Sequence, residues 1–244
     1  MKNGTTHVFD NGIKVYENQL LDLQKERYRL HNVHEAEEEG VFVEMISDIP
    51  RGGTYVNVGA AIGYYPLLAA SIREDLNIVA YEPLSTHRRF FRKNILLNGY
   101  TRSNFCIHSE GLYSRPGSVN FNIEHYGSMI REDKSKKGFF RKLKERLHNE
   151  RIICITMEQL SRREPAGIDL LQMDIQGIEA RVLEASEGVL GEHVIRNFLI
   201  GTHSADIHQR CINILRKHGY HIMLDIFETI HQPDGILTAS CETP

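Results

Sequence analysis

The 244-residue chain has little cysteine chemistry and no long apolar run. Its four cysteines, Cys106, Cys154, Cys211 and Cys241, form no Cys-x-x-Cys pair, which excludes a zinc ribbon and a thioredoxin-type redox site. Cys106 and Cys154 lie in apolar stretches and read as buried free thiols in a reducing cytosol. No segment approaches the roughly 18 apolar residues that span a bilayer, and Met1 to His7 lacks the apolar core of a signal peptide. The expected location is therefore the cytoplasm. Internal repeats and low-complexity tracts are absent too, and with 41% hydrophobic and 25% charged residues the composition excludes fibrous and disordered classes. A chain of this length buries roughly 70–75% of its unfolded surface, enough for a core without metal or disulfide staples.

A dominant charge sign is also missing. The balance of 29 Lys/Arg against 32 Asp/Glu gives −3, so the chain as a whole makes no electrostatic case for nucleic acid or an anionic membrane. The average conceals an asymmetry. Arg131 to Arg151 holds nine Lys/Arg against four Asp/Glu, while the remainder carries 20 against 28. Glu35, Glu37, Glu38, Glu39, Glu44 and Asp48 form an early acidic run with no basic residue among them.

Two short strands, Thr6 to Phe9 and Ile13 to Tyr16, flank an Asn11-Gly12 turn, and helices are expected over Glu17 to Tyr28 and Ala36 to Ile46. Pro50-Arg51-Gly52-Gly53 divides this N-terminal hairpin and helical extension, residues 1–50, from a main domain over 51–244. Strands are then expected over Thr54 to Val58, Ile78 to Tyr81, Asn104 to Ile107, Ser118 to Ile123, Ile152 to Ile155, Ile168 to Met173, Phe198 to Gly201, His221 to Ile230 and Gly235 to Ser240. Helices are expected over Tyr64 to Ser71, Thr86 to Leu97, Gly177 to Leu190 and Ala205 to His218. Such alternation implies an α/β fold with a mostly parallel sheet covered by helices on both faces, and ligands bind at the carboxyl ends of such strands.

The most informative run is Tyr55-Val56-Asn57-Val58-Gly59-Ala60-Ala61-Ile62-Gly63-Tyr64-Tyr65, an apolar strand that breaks at Gly59 and opens a helix after Gly63. Small residues at 59, 61 and 63 let a ligand approach the backbone at a helix N-terminus. Tyr64 stands where a dinucleotide fingerprint needs a small residue, which argues against a bound pyrophosphate. A second apolar strand ends in Glu82, 19 residues after Gly63, where a carboxylate can accept bonds from both hydroxyls of a ribose. The competing reading has Glu82 cap the next helix.

These blocks resemble the FkbM-type family of class I S-adenosylmethionine (SAM) methyltransferases. So do Tyr81-Glu82-Pro83, Asn94 to Gly99, Ile155 to Leu160 and Ile168 to Glu179, in order. The resemblance runs from about Gly53 to Tyr220. It implies a Rossmann-like fold with a seven-stranded sheet and methyl transfer from SAM, leaving S-adenosylhomocysteine. The implied acceptor is commonly a hydroxyl of a sugar or secondary metabolite, so a small molecule or glycan. Nitrogen or carboxyl acceptors, and a non-catalytic SAM-binding or scaffold protein, are the alternatives. Asn57 stands where the family usually has Asp, Gln172 where it has Lys, and Gln176 and Gly201 where it has Glu.

The expected cofactor residues are Asn57, Gly59, Ala61, Gly63, Tyr64, Glu82 and Asp174, with Ser109 and Glu110 toward the adenine. Asp174 ends an apolar strand at the reacting edge and is a candidate base or acceptor-orienting group. His203, ending the next strand, is a candidate base with Asp174 as its partner. Gln176, His125 and Tyr126 are expected to face the acceptor. No metal is expected: His31, His34 and Glu35, like His203 and His208, read as a solvated face rather than a ligand set. Lys134 to Arg151 reads as an amphipathic basic helix within an insertion over about 131–151. It is taken as a lid, a solvated face or the site of an anionic partner.

Overall fold

Asn11 and Gly12 close a hairpin of β1 (Thr6–Val8) and β2 (Lys14–Tyr16), with Gly12 at φ +86° and Thr6 opposite Tyr16. The computed structural model describes residues 4–122, 129–130, 149–232 and 234–242. Helices α1 (Asp22–Leu30) and α2 (Ala36–Asp48) follow, α2 burying Phe42 and Ile46. The expected single helix from Glu17 breaks into a 3-10 turn over Glu17–Gln19 and then α1, because Leu20 and Leu21 are extended. Phe9, Ile13, Val15 and Leu20 share one apolar cluster with Tyr55, Leu67 and Ile95 of the main body.

β3 (Thr54–Val58) is buried at every position, as a strand covered on both faces must be. It leads into α3 (Tyr64–Ile72), β4 (Asn77–Tyr81), α4 (Ser85–Leu97) and β5 (Phe105–His108). Next come β6 (Gly111–Leu112), β7 (Gly117–Asn122), β8 (Met129–Ile130) and β9 (Asn149–Ile155). The rest of the chain forms α5 (Met157–Ser161), β10 (Ile168–Met173), α6 (Glu179–Glu184), α7 (Glu187–Gly191), β11 (Ile195–Thr202), α8 (Ala205–Lys217), β12 (His221–Ile226) and β13 (Gly235–Ser240).

Seven strands form the main sheet in the order β12-β13-β11-β10-β3-β4-β5, with β13 antiparallel to both neighbours and β3, β4, β5, β10 and β11 mutually parallel. Leu170 and Leu171, adjacent on β10, enter different apolar clusters, so each sheet face carries its own core. The chain runs outward from β3 to β5 and returns to β10 on the other side of β3. The order therefore reverses between β3 and β10, where this architecture opens a crevice.

The expected strands at 118 and 152 pair with each other in a separate four-stranded sheet, β6-β9-β7-β8. Two further expectations are corrected. The expected helix from Gly177 to Leu190 divides into α6 and α7, because Ser186 turns its hydroxyl onto the Val182 carbonyl at 2.6 Å as the first helix ends. Cys106 is exposed, since β5 is the edge of the sheet, whereas Cys154 and Cys211 are buried free thiols. Most of the basic insertion, residues 131–148, lies outside the described residues, as do His125 and Tyr126. Of that segment Arg151 is described, donating to the Ser118 hydroxyl at 2.7 and 2.9 Å. Among the described residues, no helix is long and apolar enough to cross a membrane.

Candidate functional site

Strand register assembles the site. Val58 pairs with Tyr81 on β4 and with Met173 on β10, so the residues that follow, Gly59, Glu82 and Asp174, emerge side by side at one sheet edge. Thr202 pairs with Gly235 on the antiparallel β13, which brings His203 beside Asp234. A cavity of about 390 Å³, in the range of small-molecule sites, opens there.

The loop after β3 shapes the floor. Gly59 has φ +89°, and a Cβ on it would meet the Asp174 carbonyl oxygen at 2.0 Å; a Cβ on Gly63, at φ +85°, would strike the Phe91 ring at 1.9 Å. Gly63 thus caps α3 behind the cavity, while Asn57, Gly59, Ala61 and Tyr64 line it. Ala61 and Gln176 are two non-glycine residues at positive φ, +45° and +60°, and both line the cavity, where such backbone is commonly held for function.

Glu82 is 4% exposed. Its Oε2 accepts from the Ala61 N–H at 2.8 Å and its Oε1 from the Leu84 N–H at 2.7 Å, so it ties the glycine loop to the start of α4 and also lines the cavity. Ser109 and Glu110 do not line this cavity: Arg163 holds the Glu110 carboxylate at 2.8 Å. That ion pair occupies the carboxylate, which sits in the loop beyond edge strand β5.

At the other end the charges gather. Asp174 Oδ1 lies 3.4 Å from His203 Nε2, Asp234 Oδ1 lies 3.3 Å from the same nitrogen, and Glu179 Oε1 lies 3.0 Å from Nδ1. Glu179, fully buried, also accepts from the Ile175 and Gly177 amides at 3.1 and 3.0 Å, fixing the turn that carries Asp174. Burial alone lowers the His203 pKa, but Glu179, Asp174 and Asp234 together raise it to about 9, so the ring is a cation at neutral pH. Burial raises Asp174 to about 6; the His203 charge opposes this, and Glu35 and Glu179 add to it. Asp234 is likewise pushed up to about 6 by burial and by Asp174. Gln176 donates to Asp174 Oδ1 at 3.1 Å.

Glu35, Asp174 and Asp234 place carboxylate oxygens within 4.8 Å of one another, as do Asp174, Glu179 and His203 with their ligand atoms, and either set has the chemistry to hold a divalent cation. In this arrangement the protonated His203 is itself the positive charge among the acids.

The sequence did not single out Glu35 as a site residue, and its reading with His34 as a solvated face is overturned. Both line the cavity: Glu35 is 9% exposed and accepts from the Tyr65 hydroxyl at 2.9 Å, and burial lowers the His34 pKa to about 3. His208 is buried as well, bonded to Thr202 and Asp225 at 2.7 and 2.8 Å, because α8 turns it onto the sheet. Glu35 and Asp234 thus bring carboxylates to the cavity from segments remote in sequence. Gln172 accepts from Tyr55 and Asn57 and donates to Glu38 at 2.7 Å, a buried network that reaches the cavity wall at Asn57 and Gln172.

The sequence profile of the methyltransferase FkbM domain matches residues 57–222. No curated protein matches the chain by sequence. Among solved structures, the METTL16 methyltransferase domain aligns with a TM-score of 0.50 at 12% identity, over 85% of this chain and 68% of that one. Precorrin-6y C5,15-methyltransferase from Geobacter metallireducens aligns at 0.47 and 12% identity, covering 85% and 89%. A SAM-dependent O-methyltransferase from Thermotoga maritima aligns at 0.48 and 10%, covering 83% and 64%. At 12% identity the likeness to the METTL16 domain is one of fold alone.

Proposed function

The chain belongs to the FkbM methyltransferase family, and on that premise we propose that it transfers a methyl group from SAM to a hydroxyl oxygen of a small molecule or glycan. The observation that carries this reading is one cavity lined by both Glu82 and Asp174, which follow the strands on either side of β3. The residues fit the donor: the small residues Gly59, Ala60 and Ala61 line the cavity before α3, and the buried carboxylate of Glu82 beside them is suited to a ribose.

When bound, SAM supplies an electrophilic methyl group on a cationic sulfur. Glu82, Gly59 and the start of α3 hold the donor, and Gln176 and Asp174 orient the acceptor. Alignment at about 3 Å is worth as much as ~7–11 kcal/mol in the best intramolecular cases. Asp174 takes the hydroxyl proton as the oxygen gains the methyl group, a role worth about 10²–10⁴-fold. His203, held charged between carboxylates, positions Asp174 and does not itself accept the proton.

Labelled SAM offered with a panel of sugars and hydroxylated metabolites tests the reading, with labelled methyl ether expected. Binding of S-adenosylhomocysteine with no transfer to any acceptor would instead leave a donor-binding scaffold. A second reading, an amine acceptor, is favoured by the excess of carboxylates around the cavity, which suit a cation. Labelled methylamine in place of methyl ether would select it.

A further inference from the structure

The cavity is acidic. Its lining includes Glu35, Glu82, Asp174 and Asp234, against one guanidinium, that of Arg27 on α1. Arg27 Nη2 donates to the His34 carbonyl at 2.9 Å, and the guanidinium lies 5.4 Å from the centre of the Tyr28 ring. Its Nε is buried and makes no hydrogen bond. A charged donor desolvated without an acceptor costs about 1–3 kcal/mol or more, and on a guanidinium that lines a cavity it calls for an acceptor.

The same stretch of chain brings the opposite charge. Glu35 follows α1 by five residues and is bonded through one oxygen to Tyr65, with no Lys or Arg within 4 Å among the described residues. The connection between α1 and α2 packs directly on the glycine-loop helix, the His34 and Tyr64 rings lying 4.6 Å apart. Asn57 provides no charge on this side; it is neutral and its amide nitrogen donates to Gln172 at 3.0 Å. A ligand whose ribose sits at Glu82 therefore extends its far end toward an arginine and a carboxylate supplied together.

We infer that Arg27 and Glu35 form a clamp for an α-amino-acid zwitterion, the methionine end of the methyl donor, with Arg27 donating to its carboxylate and Glu35 accepting from its ammonium group. The inference rests on the methyl-donor reading above and deepens it. Opposite charges on one strap match a zwitterion and reject a ligand carrying only one of them, since either partner is then left buried and unpaired. The N-terminal extension is on this account part of the donor site.

Titration calorimetry of wild type, Arg27→Met, Arg27→Lys and Glu35→Gln with S-adenosylhomocysteine and with 5′-methylthioadenosine, the same nucleoside without the amino-acid end, tests the clamp. Arg27→Met is expected to weaken S-adenosylhomocysteine about 10- to 100-fold and leave 5′-methylthioadenosine unchanged, with Arg27→Lys recovering part of the loss. Glu35→Gln keeps an acceptor for Tyr65 and is expected to show the same selective loss. Equal loss of both ligands in all three variants, or full S-adenosylhomocysteine affinity in Arg27→Met, overturns the clamp while leaving the donor reading intact. Wild-type protein that binds neither nucleoside overturns the donor reading and the clamp with it.

Discussion

The Asp174 carboxylate stands 3.4 Å from Nε2 of His203, whose other nitrogen reaches the buried Glu179 at 3.0 Å. The imidazolium therefore lies between acids from three places: the end of β10, the start of α6 and the segment before β13. Removing any one acid changes the protonation of the others, so the group titrates as a unit.

The first consequence is a bell-shaped pH profile. With Asp174 raised to about 6, the proton-accepting carboxylate is present above that pH; with His203 raised to about 9, its positioning charge is lost above that. Plotted against pH, kcat/KM is expected to rise through about 6 and fall through about 9. Asp174→Asn should lower kcat by about 10²–10⁴ and abolish the lower limb. A profile flat between pH 5 and 7 in the wild type counts against Asp174 as the base.

The same cluster makes a stability prediction. The folded-state pKa of His203, about 9, exceeds the unfolded value of 6.5, so the folded protein holds the proton more tightly. The contribution is full below pH 6.5 and is lost as pH rises through 9, on the order of 3 kcal/mol. Chemical unfolding at pH 6 and pH 9.5 measures it. His203→Gln should be less stable at neutral pH and show a flatter decline over that interval; an unchanged pH slope would show that the cluster contributes nothing.

Legibility in the sequence followed range of interaction. Thr54 to Val58 announces a central strand by itself, and the glycine loop and Glu82 follow from local spacing. Asp174 is readable because an apolar strand ends on it. Glu35 and Asp234 are not, because neither sits in a pattern. Glu35 reaches the site only because Phe9, Val15 and Phe42 anchor the extension in the main core, and Asp234 only because β13 runs antiparallel to β11. The raised pKa of His203 depends on that assembled acid cluster. The pairing of β7 with β9 in a separate sheet was open for a related reason: strand periodicity does not say which sheet a strand joins.

Two glycines separate backbone strain from steric contact. Gly59 and Gly99 have nearly equal φ, +89° and +83°, but a Cβ at 99 meets nothing within 4 Å whereas one at 59 meets the Asp174 carbonyl. Gly99→Ala is expected to cost about 1–2 kcal/mol, the left-handed penalty alone. Gly59→Ala carries that penalty plus displacement of Asp174, and should unfold at lower denaturant and lose S-adenosylhomocysteine binding. Equal midpoints for the two variants would mean that the loop yields without disturbing Asp174.

Glu82 tests whether donor binding and chemistry are separable. Its two oxygens accept from Ala61 and Leu84, and Oε1 is 3.5 Å from His87 Nδ1, so the carboxylate is already fixed before any ligand arrives. Glu82→Gln retains one acceptor oxygen and presents an amide N–H₂ to the other backbone amide, a mismatch worth about 1–3 kcal/mol. Thermal stability should fall by that amount, and S-adenosylhomocysteine affinity by about tenfold or more, as a charged acceptor for the ribose is lost. Glu82 follows β4 and Asp174 follows β10, with β3 between them, so Glu82 is expected to bind a donor ribose alike in ground state and transition state. Its loss should raise KM for the donor with kcat nearly unchanged. Asp174→Asn should do the reverse. A Glu82→Gln enzyme whose kcat falls as far as that of Asp174→Asn would show that the glycine loop tied to Glu82 also sets the position of Asp174, through the contact of Gly59 with the Asp174 backbone.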